Sequence, residues 1–441
     1  MNAVARCTAA GATLGCALAG SARAQVVDAH PIDTALARGY FQEAAAVAQR
    51  DAGALWGVPL EGPLIFGDQA TRSVVAERGD TAGILHEAGS VWVGTIPADR
   101  NVANTAQEWG GVRWITIRWP PPQGEDAEAR ARRAELFAHE MWHGIQGRLG
   151  VSADDPPNAH LDEREARLWL RLEARALRHA LARQGDERTR ALRDALRFRG
   201  ARHARFEGSS IAEGKLERHE GMASYTGLRL SGRDSTSMTH RARDLLAVLD
   251  SSPHLARSFA YGTGPAYGLL LDDAVTGWRE RILEGAAPAA LLADALGMRP
   301  APRDVVGASR YGYDAIVQEE AARERERMAR RAELTARLVD GPVLRLPFEQ
   351  MQMQIDPQHV EPLGTAGTVY RTIRIADKWG VLDAKDGAVL IAPDFSYAAV
   401  ALPKGAEPEQ GVVRGEGWML TLSEGYRLRK GARSGDLTAG R

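Results

Sequence analysis

Cysteine is nearly absent from this chain: 441 residues contain 2, Cys7 and Cys16, both close to the start. Beyond that opening segment there is no thiol, which excludes a disulfide-stapled scaffold and every cysteine-based metal or redox site. A metal held further along must be bound by nitrogen and oxygen donors. An excess of charge of either sign is also missing, with 56 Lys and Arg against 57 Asp and Glu and a formal net charge of −1. That balance predicts no nucleic-acid partner. Arginine supplies nearly all of the basic side chains. After the first two dozen residues no apolar run is long enough to cross a bilayer, so no transmembrane segment is expected. No internal repeat of solenoid type is present either.

The opening residues read as a removable export signal. Arg6 provides a positive start, residues 7–20 are small and apolar, and Ala22-Arg23-Ala24 presents the small residues that a signal peptidase reads. A lipoprotein reading at Cys16 is weaker, because Thr13 stands where a large aliphatic residue is wanted. Residues 1–24 are therefore expected to be a signal peptide, and the mature chain periplasmic or extracellular.

Hydrophobic patterning divides the remainder into three stretches. Residues 26–50 are alanine-rich and helical in character. From 55 to 119 short β-type runs alternate with Gly, Pro and Asp (62–66, 73–76, 91–96 and 112–119), which suggests a small mixed sheet. Helices dominate from 126 to about 339. There, 161–184 and 186–206 read as an antiparallel hairpin, and Ser210-Ile-Ala-Glu213 as a capping box opening a helix through Glu220 to Tyr225. The charged run 323–331 reads as the wet face of a long helix. After Gly341-Pro342 short strands are expected at 369–375, 380–382, 389–391, 398–402 and 418–422, with hairpin turns at Asp386-Gly387 and Ser423-Glu-Gly425. The expected fold is α+β, with a domain over 25–340, its helical hairpin inserted at about 158–206, and an all-β domain of sandwich type over 341–441.

The chemistry centres on Glu135-Leu-Phe-Ala-His-Glu-Met-Trp-His-Gly-Ile-Gln146. Pro120-Pro-Pro-Gln-Gly124 stops the preceding element and Asp126 can cap a helix running to Gly147 or Gly150. On that helix His139 and His143 are one turn apart on the same face, a spacing that suits two nitrogen ligands of one zinc ion. Glu140 is turned aside by about 100°, where it can serve a metal-activated water rather than the metal. Gln146 shares the histidine face and is a candidate to orient a ligand. Catalytic zinc needs a third protein ligand, and Asp162, Glu163, Glu165, Glu173, Glu217 and Glu220 all follow downstream.

A resemblance narrows that choice. Glu220-Gly-Met-Ala-Ser-Tyr225 is similar to the segment carrying the third zinc ligand in aminopeptidase N-like and thermolysin-like gluzincin metallopeptidases. The resemblance implies that Glu220 is the ligand and that Ser224 supports a histidine. Tyr261-Gly-Thr-Gly264, ahead of an aliphatic run, resembles the segment whose tyrosine hydroxyl stabilises the oxyanion, a role that would fall to Tyr261 or else to Tyr267. The three segments together span roughly residues 114–271. Two departures stand out. In the family the ligand glutamate follows soon after the second histidine, which keeps Glu173 as the rival third ligand. The Gly-x-Met-x-Asn segment with which aminopeptidases bind a free amine is missing from 112–119, so exopeptidase action has no support, although that strand could pair with an extended substrate.

The expectation is thus an exported Zn2+-dependent metallohydrolase acting on a peptide or protein substrate, with Glu140 as general base and Tyr261 as oxyanion donor. The alternative is a non-catalytic exported module with a structural or vestigial zinc site, whose C-terminal β domain binds an envelope partner.

Overall fold

The computed structural model describes residues 31–97, 100, 102–298, 307–355, 360–403, 405 and 411–441. The expected signal peptide lies outside them. The chain divides into two compact units, one ending at Glu43 and resuming over Pro63–Pro121, the other combining Ala44–Gly62 with Pro122–Arg441. Helix α1 (Thr34–Asp51) crosses the first boundary; Asp33 caps it, its Oδ1 accepting from the amides of Ala35 and Leu36.

The first unit is a six-stranded mixed sheet. Its strands are β1 (Leu64–Gly67), β2 (Ser73–Ala76), β3 (His86–Ala88), β4 (Val91–Thr95), β5 (Thr105–Trp109) and β6 (Val112–Arg118), in the order β3-β4-β2-β1-β6-β5. Ile65, Val74, Trp109 and Trp114 pack on one face, while Tyr40 and Phe41 of α1 meet Phe66 on the other. Burial on both faces explains why β1 reads as a continuous apolar run rather than an alternating one. β6 is paired in parallel with β1 and antiparallel with β5, so its backbone is fully engaged and cannot receive a substrate strand.

The second unit begins its helices with α2 (Ala127–Ile145), and Asp126 Oδ1 accepts from the Ala129 amide as expected, at 2.7 Å. α3 (Arg164–Ala182) and α4 (Gly185–Arg205) form the antiparallel hairpin. α5 (Ser209–Leu216) runs through a π-helical turn, Glu217–Gly221, into α6 (Met222–Leu230). α7 (Ser235–Ser251), α8 (Leu255–Ala274), α9 (Trp278–Leu283), α10 (Pro288–Ala295) and α11 (Tyr313–Thr335) complete the set. The expected capping box does not form. Gly208 occupies the cap, and Glu213 instead takes two hydrogen bonds from the buried Arg202 guanidinium at 2.8 and 2.7 Å. A forked, charge-assisted pair outweighs a single amide bond to the helix end. The run 323–331 lies on α11 and is mostly exposed, as its alternating charge suggested.

The chain ends in two sheets. Their strands are β7 (Val343–Pro347), β8 (Gln352–Ile355), β9 (Val360–Pro362), β10 (Thr368–Tyr370), β11 (Ile373–Asp377), β12 (Gly380–Ala384), β13 (Val389–Ile391), β14 (Tyr397–Ala401), β15 (Val412–Gly415), β16 (Trp418–Leu422), β17 (Arg427–Lys430) and β18 (Leu437–Gly440). One sheet has the order β17-β18-β7-β14-β13-β10-β9 and the other β15-β16-β12-β11-β8. Leu346, Val389 and Val400 of the first share a core with Ile375, Leu382, Trp418 and Leu420 of the second. The outer face of the seven-stranded sheet buries Val343, Val369 and Leu390 against Leu334 and Leu338 at the end of α11. Two turns correct the sequence reading. Asp386-Gly387 joins β12 to β13, and Ser423-Glu-Gly425 joins β16 to β17, pairs that belong to different sheets. Positive φ at Asp386 and Gly425 therefore serves a crossing between layers rather than a hairpin. The run 369–375 likewise splits into β10 and β11, one in each sheet.

Candidate metal centre

Helix α2 packs against α6, and that contact brings the two sequence segments together. Phe137, Ala138, Met141, Trp142 and Ile145 anchor the buried face of α2, with the Trp142 indole donating to the His219 carbonyl at 3.2 Å. Gly227 lets the backbones close, since a Cβ there would meet the Glu135 carbonyl oxygen at 2.4 Å. Gly221 and Gly264 perform the same service between the π turn and α8: a Cβ on Gly264 would lie 2.3 Å from the Gly221 Cα. The glycines that follow Glu220 and Tyr261 in their motifs are thus pressed against each other. That contact sets the spacing of the segments that carry Glu220 and Tyr261.

Three ligand atoms converge. His139 Nε2 and His143 Nε2 are 3.2 Å apart, and Glu220 Oε2 lies 3.4 Å from the first and 3.5 Å from the second. Two donors on a tetrahedral zinc with bonds of about 2.0–2.1 Å stand about 3.3–3.4 Å apart, so this triangle has the right size. The three residues form the one group of potential metal ligands among the described residues. Glu220 Oε2 is buried and has no hydrogen-bond partner, while Oε1 is taken by Arg257 Nη2 at 2.5 Å. One oxygen is tethered and the other is unpaired; the donor set has the size and chemistry that a zinc ion would need.

Each imidazole is oriented from behind. His143 Nδ1 lies 2.8 Å from Gln146 Oε1, an acceptor that holds the proton on Nδ1 and leaves the Nε2 lone pair for a metal. His139 Nδ1 lies 3.3 Å from Ser224 Oγ, and its ring stacks on that of Tyr261 with centroids 5.8 Å apart. Burial pushes the Glu220 carboxyl up, but the two imidazoles outweigh it and hold the group below its ordinary pKa. Burial alone would lower His143; Glu220 and Glu140 reverse that and raise it. The Glu220 carboxylate and the His143 imidazole thus stabilise one another's charge.

Glu140 stands beside the triangle, its Oε1 4.0 Å from His139 Nε2 and its Oε2 buried without a partner. Burial raises its pKa, tempered by the two histidines. Tyr261 is held above its ordinary value by burial and then by Glu220, so its hydroxyl stays protonated at neutral pH. Glu173 and Tyr267 fall elsewhere. Both are fully buried in a cluster where Arg199 donates to Glu173 Oε1 at 2.9 Å and the Tyr267 hydroxyl to the same atom at 2.7 Å. Glu173 Oε2 is 2.8 Å from Arg202 Nη2, an ion pair without a well-directed hydrogen bond. The α3–α4 hairpin therefore backs the π turn that carries Glu220.

Two neighbours escaped the sequence reading. His219 presents a third imidazole, its ring centroid 4.9 Å from that of His143, and burial lowers its pKa. Its position next to Glu220 was the available signal. Arg257 pairs with both Glu220 and Asp155. It stands one helical turn before Tyr261, a spacing that could have flagged it. No known protein family, curated protein or solved structure matches this chain.

Proposed function

We propose that this chain is a zinc-dependent hydrolase of peptide bonds with a zincin-like, gluzincin-type site. The observation that carries the reading is the donor triangle of His139, His143 and Glu220 with the unpartnered carboxylate oxygen of Glu140 next to it. A structural zinc site uses four protein ligands, whereas here three converge and a buried, unpaired carboxylate oxygen stands beside them; a hydrolytic site needs both the open position and the base. Peptide rather than another scissile bond is favoured by the three gluzincin-like segments occurring in the family's order. The small apolar run at 7–20, followed by Ala22-Arg23-Ala24, supports an activity outside the cytoplasm.

His139, His143 and Glu220 would hold the ion. When bound, zinc supplies a water acidified toward a pKa of about 7 and Lewis-acid polarisation of the scissile carbonyl. The protein's own groups do the rest. Glu140, whose basicity burial raises and the imidazoles temper, accepts a proton and returns it to the departing amine. The protonated Tyr261 hydroxyl donates to the oxygen on which negative charge develops, a contribution of about 3 kcal/mol for donors of this kind. Gln146 and Ser224 keep both rings turned with Nε2 inward.

Glu140→Gln should leave one zinc per chain and lower cleavage of a peptide library by about 10²–10⁴-fold. Zinc content by atomic absorption and products by mass spectrometry report the two halves separately. Wild-type turnover in that variant would sink the proposal.

A further inference from the structure

Most of the described arginines in the helical region are matched with carboxylates. Arg167 and Arg171 share Glu320, Arg199 and Arg202 hold the buried glutamates, and Arg233 and Arg241 meet on Glu135. One cavity breaks the pattern. It has a volume of about 390 Å³ and is lined by Arg175, Arg178, His179, Arg183, Arg243 and Arg310, with Tyr311 at its wall and no carboxylate among its lining residues. Arg175, Arg178, His179 and Arg183 line it from α3 and its end, Arg243 from α7, and Arg310 from the turn before α11.

The surrounding charges can be assigned one by one. Arg175 is paired with Asp250 at 2.7 Å, Arg183 with Glu187 at 3.2 Å and Arg310 with Asp194 at 3.2 Å. Arg178 and Arg243 have no carboxylate among the described residues, and the Nε of each is buried without a hydrogen bond. A buried guanidinium N–H left unpaired is costly, and two in one cavity repel each other as well. His179 reports the same field: burial, then Arg183, Arg178 and Arg243, hold its pKa below the ordinary value.

We infer that this cavity is a binding site for a soluble phosphate monoester, separate from the metal centre. Two uncompensated guanidiniums match the charge of about −1.5 to −2 that such a phosphate carries at neutral pH. Each presents forked N–H groups to phosphate oxygens, a geometry that arginine supplies and lysine does not. The volume exceeds that of a phosphate and falls in the range of small-molecule sites, which leaves room for the esterified group. Tyr311 can border that group only with its ring, because its hydroxyl is committed to Asp194 at 2.9 Å.

Isothermal titration of the full chain with inorganic phosphate and with phenyl phosphate tests this. Both should bind, and Arg178→Gln and Arg243→Gln should each weaken binding by about tenfold or more. His139→Ala should leave it intact, since phosphate captured by a metal would be lost with that ligand. In the wild-type chain, the nuclear magnetic resonance titration of His179 should move to higher pH when phosphate is added, a readout that does not depend on any variant folding. The inference is overturned by absent binding, by an unmoved His179, by full binding in folded arginine variants, or by loss of binding in His139→Ala. Binding to phosphatidic-acid vesicles without binding of the soluble phosphates would overturn it too.

Discussion

Glu217 and Glu220 stand three residues apart on one continuous helical stretch, and both are buried. Glu217 is saturated: Arg199 donates to both its oxygens, at 2.9 and 2.5 Å, and the Thr263 hydroxyl donates at 2.7 Å. Glu220 has one oxygen tied to Arg257 and one facing two imidazoles with no bond of its own. The π turn between them separates these fates. An α-helix would place 213, 217 and 220 on one face, whereas the wider turn rotates Glu220 away from the arginine cage toward α2. Burial of a carboxylate thus says nothing about its role until its partners are counted. Glu217 has its partners within the protein, and Glu220 keeps one oxygen without any.

The comparison breaks most visibly if each glutamate is neutralised. Glu217→Gln leaves the fully enclosed Arg199 short of a counter-charge and should cost about 3–5 kcal/mol of stability. Glu220→Gln should change the stability of the metal-free chain far less while abolishing zinc binding. Urea titrations of chelator-treated protein, paired with metal analysis, give both numbers. Equal destabilisation would mean that Glu220 too is a structural residue.

The arginine cage also sets the acid limit. Burial pushes Glu213 and Glu173 up, but Arg202 and its neighbours hold both below their ordinary value of about 4.5. The stability they contribute is complete above that pH and is lost as pH falls through the lowered folded-state values. Thermal melts of the metal-free chain should therefore be flat near neutrality with respect to these groups and decline progressively below about pH 4.5. A decline beginning a full unit higher would assign acid sensitivity to other groups.

Next in size comes the glycine contact that spaces the two motifs. Gly264→Ala forces a methyl against the Gly221 backbone and should cost about 1–3 kcal/mol, with zinc affinity falling because Glu220 moves with the π turn. Gly262→Ala serves as the control, since its nearest neighbours, at 3.2 Å, include the side-chain atoms of Leu249 rather than another backbone alone. Similar losses from both would remove the special status of the 221–264 contact.

How much of this was legible beforehand follows from locality. His139, Glu140 and His143 could be placed because a helical turn fixes their relation, and Gln146 followed from the same periodicity. Glu220 and Ser224 needed the family resemblance, because the contact between α2 and α6 is set by tertiary packing. The choice between Glu173 and Glu220 could not be made by spacing: both lie on helices, and only the arginines of α4 reveal that Glu173 already has partners. Glu213 misled for a related reason, its capping-box position being real in sequence but overruled by Arg202. In the sheets, isolated apolar runs marked strands correctly, yet the turns after β12 and β16 were read as hairpins. Local turn chemistry fixes φ and not which sheet the next strand joins.

The metal-orienting contacts give the finer predictions. Gln146→Ala frees the His143 Nδ1 proton from its 2.8 Å acceptor and lets the ring sample the wrong tautomer. Zinc affinity should fall by about 10–100-fold with stability little changed. An affinity within twofold of wild type would show that α2 packing alone holds the ring.

The smallest effect is expected at Arg257. Its side chain is 51% exposed, so its bond to Glu220 Oε1 is weakened by solvent and salt even though the distance is 2.5 Å. Arg257→Gln should reduce zinc affinity by less than about tenfold. The loss should shrink further at high ionic strength in wild-type comparison, because screening already removes part of what the mutation deletes. A metal-binding loss as large as that of Gln146→Ala, insensitive to salt, would instead mean that Arg257 is shielded in solution and that Glu220 depends on its tether as fully as Glu217 depends on Arg199.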